Sequence, residues 1–145
     1  QDYKEAIKWT RLAAEQGNAD AQYFLGRMYK DGEGVAQDDK QAAKWYRLAA
    51  EQGVASAQYF LGQMYYNGQG VAHDYKEAVK WYRLAAEQGD GYYAKEAQYF
   101  LGLLYDGGLG VVKDHNESVK WIRKAAEQGH AKAKARLSRM GEKHQ

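Results

Sequence analysis

The chain contains 145 residues, of which 45% are hydrophobic, and its 21 basic and 19 acidic residues leave a net charge of +2. This length and apolar content are enough for one core, and the absence of cysteine excludes disulfides, thiolate metal sites and thiol nucleophiles from the sequence. The small net charge argues against nucleic-acid binding, and the longest apolar run falls far short of the roughly 20 residues of a membrane span. The sequence begins at a glutamine, so we expect it to be a piece of a longer chain. The compartment, cytoplasmic or exported, stays open.

The first predicted element is a helix from about Asp2 to Gln16, which carries the first of four copies of one motif. WTRLAAEQG at Trp9 is followed by WYRLAAEQG at Trp45 and at Trp81, and by WIRKAAEQG at Trp121. The four tryptophans are 36, 36 and 40 residues apart. A period between 20 and 50 residues is typical of a solenoid or array.

The next element of each period is a helix that we name helix A, which first reads AQYFLGRMY from Ala21. Its apolar residues fall at i, i+3, i+4 and i+7, which is helical spacing. The pattern recurs as AQYFLGQMY from Ala57 and as AQYFLGLLY from Ala97. Glycines follow each copy, so we expect helix A to end near Asp31, Asn67 and Gly107.

Helix B completes each period and begins with an aspartate three residues before a glutamate or glutamine. The pairs are Asp2 and Glu5, Asp38 and Gln41, Asp74 and Glu77, and Asp114 and Glu117. This spacing predicts a reciprocal capping box at the start of each B helix. The glycine that follows each AAEQ suits a left-handed C-cap.

These elements predict an all-α domain of about eight helices. The absence of proline and the scarcity of β-branched runs leave no strand pattern. We interpret residues 1–145 as a single repeat domain. Its parts are a lone second helix (1–17), full repeats (18–53, 54–89 and 90–129, the third with a four-residue insertion) and a C-terminal capping helix (130–145).

A glycine lies in the middle of each full A helix, at Gly26, Gly62 and Gly102. Glycine there costs on the order of 1 kcal/mol relative to alanine, which predicts a close approach of the partner helix. In the last A helix, predicted from about Ala131 to Met140, this position is Ser138, and Ala135 and Arg136 replace the Tyr-Phe pair. Such changes suit a terminal helix.

The two patterns, A-x-x-x-L-G-x-x-Y-x-x-G-x-G-V-x-x-D and A-x-x-W-Y-x-x-A-A-E-Q-G, resemble the Sel-one-like repeat (SLR), a relative of the tetratricopeptide repeat. The resemblance covers essentially the whole chain. It implies antiparallel helix pairs stacked into a right-handed αα superhelix that acts as a scaffold or adaptor for other proteins, frequently in bacteria. The sequence departs from the family in its 40-residue third period, its degraded last A helix, and the phenylalanines Phe24, Phe60 and Phe100.

The sequence offers few groups for catalysis or metal binding. The four histidines, His73, His115, His130 and His144, have no metal-ligand spacing and are interpreted as surface residues. The few serines and the threonine change type between repeats, and the G-x-G segments follow helices rather than strands. We therefore predict no catalytic residue, no metal and no cofactor.

A stripe along helix A is the predicted partner-binding surface. Its members are Tyr23, Arg27 and Lys30, then Tyr59, Gln63 and Tyr66, then Tyr99, Leu103 and Asp106. By tetratricopeptide analogy this stripe lines the concave groove, where tyrosine suits peptide recognition. The three tyrosines at 23, 59 and 99 are identical in every full repeat, so packing between neighbouring A helices explains them equally well. The variable members are the better candidates for specificity.

The insertion lies in DGYYAKEAQ, which starts at Asp90. Four residues are close to one helical turn, so we expect this A helix to start one turn early. Tyr92 and Tyr93 would then project beside the stripe and bind the partner, and a spacer without a binding role is equally consistent.

The predicted function is a non-catalytic scaffold that binds a protein or peptide segment in the groove, with neither nucleic acid nor membrane insertion. One alternative is a module for cell-wall or other small ligands, because some cysteine-rich relatives of the resembled family have been suggested to bind or hydrolyse β-lactams. Another is a structural spacer or consensus-like repeat protein. A homo-oligomer formed through the terminal helices also stays open.

Overall fold

The computed structural model describes residues 3–141, with only the backbone of Tyr3. Within this range the chain forms eight α-helices and no strand. The helices are α1 (Tyr3–Glu15), α2 (Ala19–Asp31), α3 (Asp39–Glu51), α4 (Ala55–Asn67), α5 (Tyr75–Ala86), α6 (Tyr92–Gly107), α7 (His115–Glu127) and α8 (Ala131–Arg139). Each helix packs mainly on its neighbours in the sequence, as in a solenoid. The all-α prediction, with its count of helices, is confirmed.

The helix ends follow the predicted caps, with one correction. Asp38 accepts a hydrogen bond from the amide of Gln41 at 3.1 Å, and Asp74 and Asp114 do the same for the residues three positions on. A capping box would also have the Glu77 carboxylate accept from the backbone amide of Asp74. The Glu77 carboxylate instead accepts from the Trp81 indole N–H at 3.3 Å. Glu117 and Trp121 repeat this contact. The capping pair predicted at Asp2 lies outside the described residues.

The mid-helix glycines lie where each A helix meets the following B helix. A Cβ atom on Gly26 would lie 2.8 Å from Cδ1 of Tyr46, and one on Gly62 would lie 3.0 Å from Cδ1 of Tyr82. Gly102 faces Ile122 in the same way. The close approach predicted from the sequence is confirmed.

Aromatic rings continue this contact into the next repeat. Phe60 stacks on Tyr46 with ring centroids 5.4 Å apart, and Phe100 stacks on Tyr82 at 5.6 Å. The repeat position of Tyr46 is occupied by Thr10 in α1, so Phe24 has no ring to stack on and remains 52% exposed. The unusual phenylalanines thus join one repeat to the one before it.

Buried glutamines form a polar spine along the solenoid, which sequence patterns did not reveal. The side-chain amide of Gln58 donates to the Ala50 carbonyl at 3.1 Å, and its oxygen accepts from Gln88 at 3.0 Å. Gln88 also donates to the Gly53 carbonyl at 2.8 Å. Gln22 and Gln98 repeat the pattern in their own repeats. Each buried glutamine therefore connects the end of the preceding B helix to the end of the following one.

Arginines of the B helices bind tyrosines of the A helices that follow them. Arg11 donates to the hydroxyl of Tyr29 at 2.6 Å. The pairs Arg47 with Tyr65 and Arg83 with Tyr105 repeat this contact. These arginines of the B helices are thus engaged in the fold.

Charged residues distinguish α8, the last described helix, from the A helices before it. Arg136, at the position of the stacking phenylalanines, forms an ion pair with Asp106 at 2.8 Å. Ala133 and Leu137 remain buried against α7. Among the described residues, no helix combines the length and the apolar character that a bilayer crossing requires.

We predict that Gly26→Ala destabilises the protein although alanine is the better helix former. The added methyl group would overlap the Tyr46 ring, and overpacking of this kind costs about 1 to 3 kcal/mol. Ser138→Ala is the matched control, because Ser138 is exposed and its variant should be neutral or slightly stabilising. Urea unfolding followed by circular dichroism measures both, and a stabilised Gly26→Ala would contradict the packing argument.

We also predict that Gln58→Met costs about 1 to 3 kcal/mol of unfolding free energy. Methionine keeps the length of the side chain but leaves the Ala50 carbonyl and the Gln88 amide with fewer partners. Gln63→Met on the same helix is the control, since Gln63 is only half-buried and lies outside the spine. Equal losses in the two variants would show that the spine contributes no net stability.

Candidate functional site

The candidate site is the outer surface of α2, α4 and α6, which we call the A-layer surface. It contains the predicted stripe members that vary between repeats, namely Arg27, Lys30, Gln63, Tyr66, Leu103 and Asp106. These residues occupy two equivalent positions of three consecutive A helices, one helical turn apart. Arg27 is exposed and the other five are half-buried.

The three invariant tyrosines are buried between helices. Tyr23, Tyr59 and Tyr99 are only 9%, 7% and 8% exposed. Tyr23 contacts Tyr46 of the following B helix and Phe60 of the next A helix, with ring centroids 5.9 and 6.3 Å apart. This arrangement agrees with the packing interpretation of these residues, and their rings offer a partner little area. Their role in binding stays a prediction.

A polar cluster surrounds the hydroxyl group of Tyr23. Tyr93, Ser56 and Arg27 lie near enough to this hydroxyl to affect its ionisation. Burial, together with the neighbouring Tyr93 hydroxyl, raises the pKa of Tyr23 to about 12. The Tyr23 hydroxyl therefore keeps its proton at neutral pH. Side chains of α2, α4 and α6 thus meet at one polar point beside an exposed guanidinium.

The insertion adds one turn to the start of α6, as predicted, because α6 has 16 residues where α2 and α4 have 13. Tyr93 does not project freely, since its ring packs 5.6 Å from Tyr59 and 5.5 Å from Phe60. Tyr92 is 62% exposed and lies edge-on to Tyr93. The insertion therefore wedges Tyr93 into the A-layer and leaves Tyr92 available at its edge.

The first half of the A-layer surface is rich in side-chain amides. The ammonium group of Lys30 lies 5.2 Å from the ring centroid of Phe60. Lys30 and Gln63 also line an open cavity of about 400 Å³, together with Gln37, Asp39, Met64, Asn67 and Gln69. Amide and lysine groups of this kind can hydrogen-bond the backbone or a carboxylate of a bound segment.

The second half of the surface is more engaged in the fold. Tyr66 packs edge-on against Tyr75 and Phe100 at 5.5 and 6.3 Å. Leu103 packs against the last core cluster, and Asp106 is paired with Arg136. The pairing of Asp106 was not predicted, because Arg136 lies 30 positions away in the sequence. It also arises only because α8 has an arginine where the earlier A helices have phenylalanine.

His130 was interpreted as a surface residue, and the structure shows that this was wrong. It is 6% exposed and its ring stacks on Tyr99 with centroids 4.6 Å apart. Its Nδ1 accepts the Ala133 amide at 3.1 Å and so caps α8, and its Nε2 lies 3.1 Å from a Glu96 oxygen. The signal that could have revealed this is its position, because Asn18 at the equivalent position caps α2.

The other histidines agree with the sequence interpretation as far as they are described. His73 and His115 are exposed, and His144 lies outside the described residues. No group of three or more metal-ligating side chains occurs in residues 3–141.

Comparisons with known proteins agree with the repeat pattern. The family model described as Sel1 repeat matches residues 1–18, 19–54, 55–90 and 95–130. The four residues between the last two matches fall at the insertion. No match was found among curated proteins.

Several solved structures are similar to this chain. A protective antigen of uropathogenic Escherichia coli with an SLR fold, c5321, is 46% identical with a TM-score of 0.90. The match covers 96% of this chain and 29% of the antigen. A Sel1 repeat protein from Oxalobacter formigenes is 44% identical with a TM-score of 0.83, over 90% of this chain and 52% of that protein. This chain thus spans only part of the length of both relatives.

A more distant neighbour is cysteine-rich protein B of Helicobacter pylori, with 27% identity and a TM-score of 0.68. That match covers 94% of this chain and 95% of the Helicobacter protein. Its name marks it as rich in cysteine, whereas this chain has none. Because the family model matches successive segments across most of the sequence, this chain belongs to the Sel1 repeat family.

Proposed function

We propose that this chain is a non-catalytic scaffold that binds a segment of another protein along its A-layer surface. Sel1 repeat proteins generally act as protein-interaction scaffolds. A site on this surface is supported by the contrast between the invariant and the variable positions of the A helices. On the A helices, invariant residues such as Gln22, Tyr23 and Leu25 lie in the core and the polar spine, whereas the six variable residues share one accessible face. A face that varies while its support stays constant can acquire specificity without loss of the fold.

The charges along the A-layer surface favour a segment with an acidic group at one end. Arg27 and Lys30 on α2 form no ion pair with a carboxylate within the described residues. Asp106, at the other end, is already neutralised by Arg136. Arg27 is exposed, so a carboxylate there would meet its guanidinium group. Charge-assisted hydrogen bonds of this kind are roughly twice as strong as neutral ones.

Apolar and amide groups supply the remaining contacts. Phe24 on α2 is 52% exposed, and Leu103 on α6 is accessible in part. The amide-lined cavity between α2 and α4 offers donors and acceptors for a peptide backbone. The proposed ligand is therefore an extended or helical segment with an acidic residue near α2 and apolar side chains along the rest.

The test is affinity capture from a lysate of the source organism, with bound proteins identified by mass spectrometry. The variant, which we call the groove variant, combines Arg27→Glu and Lys30→Glu on the A-layer surface. It reverses the charge of the two residues of this surface that have no carboxylate partner among the described residues. We expect at least one protein to be retained by the native chain and reduced tenfold or more in the groove variant. Two lost charge-assisted contacts of about 1.5 to 3 kcal/mol each are more than enough for this change.

The matched control combines Lys40→Glu and Lys76→Glu, two exposed lysines of the B helices, and changes the net charge by the same amount. This control should retain the partner as the native chain does. Circular dichroism of all three proteins verifies that the helices are intact. A partner lost equally from both variants would indicate general charge attraction, and a partner retained by both would contradict a site at Arg27 and Lys30.

A further inference from the structure

Four sites in the chain place an aspartate or asparagine directly before a glycine. They are Asp31–Gly32, Asn67–Gly68, Asp90–Gly91 and Asp106–Gly107. At such a pair the glycine nitrogen can attack the side-chain carbonyl carbon, because glycine has no Cβ atom to obstruct the approach. The product is a five-membered succinimide, which water opens to aspartate or to isoaspartate. In an unfolded chain Asn67–Gly68 would react fastest, because an amide loses ammonia more readily than a carboxyl group loses water.

Three of these pairs are held by the ends of A helices. Asn67 is the last residue of α4, and the N–H of Gly68 donates to the Met64 carbonyl. Asp31–Gly32 ends α2 in the same way, with a donor–acceptor distance of 2.8 Å. Asp106–Gly107 lies inside α6. Succinimide formation requires the glycine nitrogen to lose its proton and the backbone to leave helical geometry, so each of these pairs reacts only after its helix end opens.

Asp90–Gly91 lies outside the helices, in the insertion between α5 and α6. Within residues 3–141, the Gly91 N–H has no hydrogen-bond acceptor, and the Asp90 carboxyl group has neither a hydrogen bond nor an ion pair. Gly91 has a φ of 99°, and the space around the place of a Cβ atom is empty within 4 Å. Both residues are exposed, but so are Asn67 and Gly68. The free N–H, rather than exposure, therefore sets Asp90–Gly91 apart.

The chain is fixed on both sides of this free amide. The Gly89 carbonyl accepts the side-chain amide of Gln98 at 3.0 Å, and the Gly91 carbonyl accepts the backbone amide of Lys95 at 3.0 Å. The Asp90 side chain does not cap α6, since the N-cap of that helix is Gly91 and has no side-chain hydrogen bond. The two reacting groups thus have no competing partner, and their reaction does not require a helix to open.

We propose that Asp90–Gly91 is a modification site at which this chain forms a succinimide and then isoaspartate without an enzyme, while the other three pairs are protected. The Gly91 nitrogen bonds to Cγ of Asp90, and its proton leaves with the side-chain hydroxyl as water. A second water molecule then opens the ring. Attack at the former main-chain carbonyl gives isoaspartate, in which the backbone runs through Cβ and Cγ of Asp90. The reaction does not depend on a ligand at the A-layer surface.

The additional backbone carbon enters the chain immediately before the first turn of α6. That turn begins with the hydrogen bond from the Lys95 amide to the Gly91 carbonyl. It also carries Tyr93, whose ring packs against Tyr59 and Phe60. The modification therefore acts at the junction between the insertion and the A helices.

The test compares two identical reactions within one molecule. In Asp90→Asn, positions 67 and 90 both hold an asparagine before a glycine, so their surroundings decide the rates. The folded variant is incubated at physiological pH and temperature, and isoaspartate is located by electron-transfer dissociation of tryptic peptides. The two positions fall in separate tryptic peptides, 48–76 and 84–95. We expect position 90 to react at least tenfold faster than position 67, because position 67 reacts only when the end of α4 opens.

Unfolding and a second variant provide the controls. Guanidinium chloride removes the protection of α4 and should make the two rates similar. In the folded native chain, isoaspartate should accumulate faster at Asp90 than at Asn67. Asp90→Glu keeps the charge but should remove the product from residues 84–95, since glutamate would have to form a six-membered ring. The proposal is overturned if positions 67 and 90 react equally fast in the folded Asp90→Asn variant, or if the native chain forms isoaspartate faster at Asn67.

Discussion

The contact between a glycine of each A helix and a bulky side chain of the following B helix sets the spacing of the whole solenoid. Without a Cβ atom, Gly26 and Gly62 allow Tyr46 and Tyr82 to lie flat against the helix backbone. This position presents the far side of each ring to the next repeat, where Phe60 and Phe100 stack on it. The buried glutamines of the same helices hydrogen-bond carbonyls on one side and glutamines on the other. A methyl group at the glycine would therefore disturb contacts within a repeat and between repeats at once.

This dependence explains why the repeats are nearly identical at some positions and free at others. A residue such as Gln58 serves the helix before it and the helix after it, so a change there affects two junctions. Position 27 and its equivalents take no part in the polar spine and read Arg, Gln and Leu in the three repeats. In a solenoid whose stability is a sum of repeats and junctions, variation concentrates where no junction is lost. The A-layer surface is where this freedom and accessibility coincide.

The sequence was sufficient for the helices because their signals are local. Asp38 caps the backbone three residues away, and the glycine after α2 ends it within one turn. The contacts that escaped prediction join distant positions, such as Gln52 with Gly17, 35 residues apart, and Arg136 with Asp106, 30 apart. Spacing alone could not show that the Tyr23 ring is buried between helices. A helical stripe at the edge of the core has the same periodicity whether it faces a partner or a neighbouring helix. For the candidate site, the sequence located the stripe, and the structure separated its buried members from its accessible ones.

The two ends of the described solenoid are built differently, and the contacts of α8 reach the A-layer surface. At α8 the stacking phenylalanine has become Arg136, whose ion pair with Asp106 gives the last helix a charged finish. At α1, Trp9 is 59% exposed, whereas its equivalents in the later repeats are buried. Because junction energies are shared between neighbours, the ion pair of α8 strengthens its junction with α6, the third helix of the A-layer surface. Asp106 lies on that surface, so this ion pair leaves Arg27 and Lys30 as its charged members without a carboxylate partner among the described residues.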